Sequence, residues 1–153
     1  MAHYPLNHHL RQPYRFLAGL AGLYFTLVGV IGLAKTWGDP FFDRDGGAWV
    51  LGLRVNPAAA WLYTIAGVVL LAVVLIGGNL FHRVAIVLGW GLCGVSMLVM
   101  AFIQTDVNIL HASMINVIVT ITLGLVTLTA GLYGKVGNAT AARAEEMAAH
   151  GSR

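Results

Sequence analysis

The residues of this chain that could do chemistry are few and lie far apart in the sequence. The histidines nearest to apolar segments, His82 and His111, border different segments and are expected at opposite faces of a membrane. A b-type haem needs two His ligands on facing helices at one depth, so these two do not form a haem site. Glu145 and Glu146 are adjacent and point to different faces of a helix, and Cys93 is the only thiol. The sequence therefore predicts no catalytic residue, no cofactor and no metal site.

Four long apolar runs dominate the chain and must position whatever polar groups it has. They contain no Asp, Glu, Lys or Arg, and each has the roughly 20 residues that a helix needs to cross a bilayer. Charged residues make up 10% of the 153 residues, against about 25% in soluble domains, and the mean hydropathy is +0.78. We therefore predict an all-α fold, an integral membrane antiparallel four-helix bundle with spans at 16–34, 58–78, 84–103 and 109–132.

One transmembrane domain accounts for nearly the whole chain. Pro5 and Pro13 interrupt any long helix before the first run, and tight connections at 79–83 and 104–108 make the last three spans antiparallel neighbours in turn. We predict an N-terminal tail at 1–15, a four-helix domain at 16–137 with an outer loop at 35–57, and a C-terminal tail at 138–153.

Lysine and arginine are distributed unequally between the two sides of the predicted bundle. Cytoplasmic flanks of membrane proteins carry an excess of these residues. One side holds Arg11, Arg15, Arg83, Lys135, Arg143 and Arg153, and the other holds Lys35, Arg44 and Arg54. Both termini are therefore predicted to be cytoplasmic. The pI near 9.4 follows from these flanking charges, and the chain lacks the basic cluster with interleaved aromatics that would indicate a nucleic-acid partner.

The outer loop and the turn before the fourth span carry polar and aromatic residues on the opposite side. Four aromatic side chains are expected on the membrane surface or over the helix ends: Trp37, Phe41, Phe42 and Trp49. Asn56 and Asn108 each follow a Val where the chain re-enters the membrane, and we predict both as helix N-caps. Asp106, Asn108 and His111, which we place one turn into the fourth span, are predicted to form a small polar cluster. It could contact a lipid head, a quinone head or a cation, or be satisfied by water and the turn backbone.

Small and hydroxyl residues form stripes at helical spacing along the spans. Lipid tails are as apolar as Leu, so membrane helices associate through close packing of small residues and interhelical hydrogen bonds. Asn116 needs partners inside the membrane, and we expect Thr64, Ser96 or a backbone carbonyl to supply them. The predicted packing seam comprises Gly22, Gly29, Gly67, Ser113, Asn116, Thr120, Gly124 and Thr127.

Four groups of motifs resemble one known family over residues 6–137. They are Leu6-Asn7-His8-His9-Leu10-Arg11 before Tyr14-Arg15-Phe16-Leu17-Ala18-Gly19-Leu20, Thr36-Trp37-Gly38 with Pro40-Phe41-Phe42, Leu51-Gly52-Leu53 with Val55-Asn56-Pro57, and Gln104-Thr105-Asp106-Val107-Asn108-Ile109-Leu110 with Thr129-Ala130-Gly131-Leu132-Tyr133-Gly134-Lys135. In order and spacing they resemble the small four-span membrane proteins of actinobacteria, including mycobacteria, grouped as domain-of-unknown-function family 4383. The family's common Asn at the start of span four stands here as His111. The resemblance implies a multi-pass protein of the bacterial plasma (inner) membrane and no established activity.

Three classes of function are compatible with these features. The first is a non-catalytic accessory or scaffold subunit of a larger plasma-membrane complex, since the spans lack charge and have more small faces than four helices need for mutual contact. The second is a small homo-oligomeric transporter or lipid-binding protein, with the polar stripe of span four as its only candidate lining. A membrane-bound redox or quinone enzyme ranks last, because no ligand set is evident. The expected partners are the lipid bilayer and either partner subunits or further copies of the chain.

Overall fold

Four helices of about the same length run back and forth through the molecule. The computed structural model describes residues 6–138 together with Thr140, Ala144 and Met147. Within them, α1 (Arg11–Lys35), α2 (Pro57–Ile76), α3 (Gly78–Phe102) and α4 (Met114–Leu132) are each long and apolar enough to cross a membrane. The prediction of an all-α four-helix membrane bundle is confirmed. The predicted C-terminal tail at 138–153 lies mostly outside the described residues.

Helix α1 begins at Arg11, five residues before the predicted span at 16–34. Pro13 does not prevent the helix because it lies in the first turn. There the backbone N–H groups have no carbonyl partner within the helix, and the missing N–H of proline costs little. The helix therefore starts before the apolar run does.

Helices α2 and α3 are joined by Gly77 alone, so the predicted connection at 79–83 was wrong. Gly77 and Gly78 have φ values of +74° and +62°, a left-handed backbone that glycine adopts without steric cost. Arg15 of α1 secures this sharp reversal. Its Nε donates to the carbonyl of Val74 at 2.6 Å and its Nη2 to that of Leu75 at 3.1 Å, satisfying carbonyls that the last turn of a helix leaves unpaired.

Helix α4 begins at Met114, later than the predicted start at residue 109. Ser113 is its N-cap, and Asn116 reaches back to form a capping box. Asn108 is not an N-cap. Its side chain closes a loop instead, donating to the Ala112 carbonyl at 2.9 Å and accepting from the Ala112 N–H at 3.1 Å. The other predicted cap is present, since Asn56 accepts from the Ala59 N–H at the start of α2.

A two-stranded hairpin covers one end of the bundle and was not predicted. Strands β1 (Ala48–Val50) and β2 (Leu53–Val55) pair antiparallel through a turn at Leu51 and Gly52, whose φ values of +48° and +89° match the primed turns of tight hairpins. Three residues of the hairpin are buried with the ends of α1 and α2: Val50, Leu53 and Val55. We call this end of the molecule the hairpin end and the opposite one the termini end.

Glycines allow the helices to pack in two tight pairs, α1 with α2 and α3 with α4. A Cβ atom on Gly29 would lie 2.7 Å from the Cα of Thr64, and one on Gly67 would lie 2.8 Å from the carbonyl oxygen of Gly22. In the second pair, a Cβ on Gly89 would lie 2.7 Å from the Cα of Leu128. Such distances are shorter than van der Waals contact, so only glycine fits between these backbones. Helices α2 and α3 contact each other far less.

Candidate functional site

Asn116 is the centre of a hydrogen-bond network at the hairpin end. Its Nδ2 donates to the carbonyl of Arg54 at 2.7 Å, and its Oδ1 accepts from the Arg54 N–H at 3.1 Å. Arg54 is opposite Trp49 in the hairpin, and the Trp49 carbonyl accepts from Lys35 rather than from β2. The amide of Asn116 thus pairs with the outward-facing backbone groups of β2 as a neighbouring strand would.

Further contacts of Asn116 link three elements. Its Oδ1 accepts from the Ser113 hydroxyl at 2.8 Å, and its Nδ2 lies 3.3 Å from the Tyr63 hydroxyl of α2. Tyr63 in turn shares a hydrogen bond of 3.1 Å with Thr120. Of the partners expected from the sequence, a backbone carbonyl is present, whereas Thr64 bonds to the Ala60 carbonyl of its own helix.

The α4 stripe faces the protein interior. Asn116, Thr120, Gly124 and Thr127 are buried, and a Cβ atom on Gly124 would lie 3.0 Å from the Sγ of Cys93. On the other helices Gly22, Gly29 and Gly67 form the contact between α1 and α2. The structure thus places all of these residues between helices, with Ser113 at the N-cap of α4.

Ser96 is the polar residue of this region that lacks a partner. Its side chain is 2% exposed, and its Oγ has no hydrogen-bond partner in the described part of the chain. Ser96 is one of the partners expected for Asn116 from the sequence, and the structure shows no hydrogen bond between them. An unpaired hydroxyl is uncommon in a protein interior and calls for a structural reason.

Ser96 lines a narrow cleft between α2 and α3 near the hairpin end. The cleft has a volume of about 20 Å³, and Tyr63, Asn116 and Thr120 also line it. Its wall continues into an apolar groove of about 270 Å³ at the end of α3, since Val95, Val99 and Leu110 line both. A narrow and mostly apolar recess therefore adjoins an apolar groove near the end of α3.

The predicted polar cluster of Asp106, Asn108 and His111 lies in a separate groove of about 430 Å³ at the hairpin end. Arg44, Asp45 and Arg54 line the same groove, and sequence spacing did not connect them with the cluster because they come from the hairpin segment. His111 is not within α4 but precedes it, with φ +51°. Within the described residues, no group of three or more His, Cys, Asp and Glu could hold a metal ion.

Two side chains near this groove have shifted pKa values. Burial lowers the pKa of His111 and the charge of Arg54 lowers it further, while Asp43 and Asp45 oppose the shift. The Nε2 of His111 is buried without a partner among the described residues. Backbone N–H groups of Gly46 and Asp45 donate to the Asp43 carboxylate, each at 3.1 Å, and lower the pKa of Asp43.

The four aromatic residues of the outer loop are all exposed at the hairpin end. The exposed fraction of Trp37 is 88%, and the other three are at least half exposed. Phe41 and Phe42 contact each other edge to face, with 4.7 Å between ring centroids. They do not fold over the helix ends, which leaves the membrane surface as the expected environment of these side chains.

The two histidines near the membrane lie at opposite ends of the bundle. The Nδ1 of His82 is 2.7 Å from the Gly131 carbonyl at the termini end, and His111 is at the hairpin end.

No known family model matches this chain, and neither a curated protein nor a solved structure matches it significantly. The resemblance to family 4383 therefore stays a prediction.

Proposed function

We propose that this multi-pass membrane protein is a non-catalytic accessory or scaffold subunit of a larger complex in a bacterial plasma membrane. The observation that supports it best is one unoccupied face of α3. Val87, Gly91, Gly94, Leu98 and Ala101 are all exposed and follow each other at alternating spacings of four and three residues. This is the spacing of a seam that packs against another helix.

The two glycines of this face differ from those at the contacts within each helix pair. A Cβ atom on Gly91 or Gly94 would meet no described atom within 4 Å, whereas one on Gly29, Gly67 or Gly89 would collide with a neighbouring helix. Small residues let helix backbones approach closely in lipid. The sequence predicted more helix faces with small residues than four helices need for mutual contact, and this face of α3 is the one that we assign to a partner. We infer that a helix of a partner chain packs against it.

The test is purification of the protein from its own membranes in mild detergent, with identification of the chains that co-migrate. We expect a stoichiometric partner that is lost from Gly94→Leu, because the larger side chain fills the seam. Ala72→Leu is the matched control, since Ala72 is an exposed small residue on α2. A partner retained by Gly94→Leu, or a chain that purifies alone, would refute the proposal.

A second candidate is a lipid-binding protein or a small homo-oligomeric transporter. The gap between α2 and α3 favours it, because a cleft at Ser96 adjoins an apolar groove of about 270 Å³ at the end of α3. A homo-oligomer that carries bound lipid or solute in the same purification would support this candidate over the first.

A further inference from the structure

A groove at the junction of α1 and α2, at the hairpin end, differs in its lining from the clefts described above. It has a volume of about 410 Å³, which lies within the range of small-molecule sites. Its walls come from the end of α1, the turn that follows it and the start of α2: Leu33, Thr36, Trp37, Gly38, Asp39, Pro57 and Trp61. The lining thus combines two indole side chains with a single acidic group.

The walls of this groove are fixed by backbone contacts. The Thr36 N–H donates to the Gly32 carbonyl at 2.9 Å, and the Asp39 N–H donates to the Thr36 carbonyl at 3.2 Å, so a turn continues directly from α1. Gly38 has a φ value of +92° in this turn, a conformation that favours glycine. A Cβ atom on Gly32 would lie 3.0 Å from the Cβ of Ala60, so the two helices that supply the walls are in close contact.

The charge of the groove selects for a cation. Asp39 is its one charged residue among those described, and the Asp39 carboxylate makes no hydrogen bond or ion pair in the described part of the chain. The nearest lysine in the sequence, Lys35, donates to the Trp49 carbonyl instead. An anion would therefore meet a carboxylate of the same charge, whereas a cation would neutralise it.

The two tryptophans favour a cation with an apolar surface. The face of an indole ring carries partial negative charge, and it attracts ammonium groups in particular. Trp37 is 88% exposed and Trp61 is 50% exposed, so both have surface available to a ligand. A metal ion such as Ca²⁺ needs six or more oxygen ligands, and one carboxylate side chain does not supply them. The lining therefore suits an organic ammonium group better than a metal ion.

The groove lies where the helices leave the apolar part of the membrane. Helix α1 ends at Lys35 and α2 begins at Pro57, and tryptophan is enriched at this depth, level with the lipid headgroups. An interfacial location accounts for the tryptophans, and the carboxylate in the same groove supplies the charge that selects a cation. Ammonium groups of lipid headgroups and of dissolved compounds both reach this depth.

We propose that this groove binds an organic ammonium group, which comes from a zwitterionic lipid headgroup or from a free compound such as choline. The ammonium group lies against the indoles of Trp37 and Trp61, and Asp39 balances its charge. The site is separate from the face of α3 assigned to a partner helix and from the cleft at Ser96. It therefore goes beyond both proposed functions and depends on neither.

The experiment titrates choline into the full chain in maltoside detergent and measures binding by saturation-transfer NMR. Dimethylbutanol, in which a carbon atom replaces the nitrogen of choline, is titrated in parallel because it has the same shape without the charge. We expect saturable binding of choline that is about fivefold tighter than binding of dimethylbutanol, the factor that corresponds to a cation–π contact of about 1 kcal/mol.

Two variants locate the site. Trp61→Leu should weaken choline binding about fivefold, and Asp39→Asn should weaken it while leaving the binding of dimethylbutanol unchanged. Trp49→Leu is the matched control, because Trp49 is 57% exposed and does not line the groove, so this variant should bind choline as the wild type does. Equal binding of choline and dimethylbutanol by the wild type, or choline binding that neither Asp39→Asn nor Trp61→Leu weakens, would overturn the proposal.

Nanodiscs distinguish the two sources of the ammonium group. In phosphatidylcholine the lipid headgroups compete with added choline, whereas phosphatidylglycerol has no ammonium group. Loss of choline binding in phosphatidylcholine alone would identify the lipid headgroup as the occupant, and equal binding in both lipids would identify a free ammonium compound. The signal of empty nanodiscs is subtracted in each case.

Discussion

At the scale of single residues, the amide of Asn116 connects strand β2 of the hairpin with α2 and α4. Asn116 satisfies the backbone of Arg54 and also contacts Ser113 and Tyr63. Backbone groups of an outward-facing strand position would otherwise be unpaired close to the membrane, where few alternative partners exist. Asn116 therefore holds β2, the start of α4 and α2 in one arrangement.

Replacing Asn116 with Leu should destabilise the protein. The substitution leaves the N–H and carbonyl of Arg54 without their partners, and each buried group left unpaired costs about 1–3 kcal/mol. We expect a clearly lower thermal midpoint in detergent for Asn116→Leu than for Thr122→Val, whose hydroxyl bonds only within its own helix. Equal midpoints would show that the network around Arg54 adds no stability.

His111 should make the fold sensitive to mild acid. Its pKa is lowered by burial and by Arg54, so the unfolded chain, with a His pKa of about 6.5, binds the proton more readily than the folded one. The stability that this contributes is present above the unfolded pKa and is lost as the pH falls toward the folded pKa. His111→Asn should reduce the fall in thermal midpoint between about pH 7 and pH 5, because it removes the titrating group and Asn tolerates the positive φ. The same fall in both proteins would contradict this assignment.

At the scale of elements, the close contacts of helix pairs depend on glycine. Gly29→Ala places a Cβ atom against the backbone of Thr64, and the helices must separate to accept it. Overpacking of this kind costs about 1–3 kcal/mol. Gly91→Ala is the control, since its Cβ would meet no described atom within 4 Å and alanine favours the helix. We expect a lower thermal midpoint for the first variant alone, and equal midpoints would place α1 and α2 farther apart than in this structure.

The sequence predicts the existence of the helices better than their ends. Apolar length identifies a span because the bilayer imposes it, so all four helices were found. The ends depend on side chains that come from elsewhere in the chain. Arg15 of α1 satisfies the last carbonyls of α2 and allows the reversal at Gly77, and Asn116 sets the start of α4 through a capping box.

The residues of the candidate sites were also predicted only in part from the sequence. Periodicity predicted the stripe of Asn116, Thr120 and Thr127 because residues three and four apart share a helix face. The hairpin was missed because its strands are three residues long and lie in a segment dominated by turn residues. The missing hydrogen-bond partner of Ser96 could not be predicted, since it is a property of the packed helices and has no pattern in the sequence.

At the scale of the whole molecule, the two helix pairs are joined unevenly. Helices α1 and α4 contact each other more than α2 and α3 do, and the described segments just before α1 and just after α4 meet at the termini end. There the Asn7 N–H donates to the Lys135 carbonyl at 3.1 Å, and the rings of Tyr14 and Tyr133 stack with 4.9 Å between centroids. The bundle is therefore packed more loosely between α2 and α3 than between α1 and α4.

The orientation of the molecule in the membrane is the final prediction. Arg11, Arg15 and Lys135 flank the termini end, whereas Lys35, Arg44 and Arg54 belong to the hairpin end. The sequence as a whole has more Lys and Arg on the side of the termini, and such an excess is typical of the cytoplasmic side. A phosphatase reporter inserted at residue 45 should be active, because that enzyme folds only outside the cytoplasm, and a fluorescent reporter fused after residue 153 should be bright. An active phosphatase at the C-terminus would mean that the hairpin, with its exposed aromatic residues, faces the cytoplasm instead.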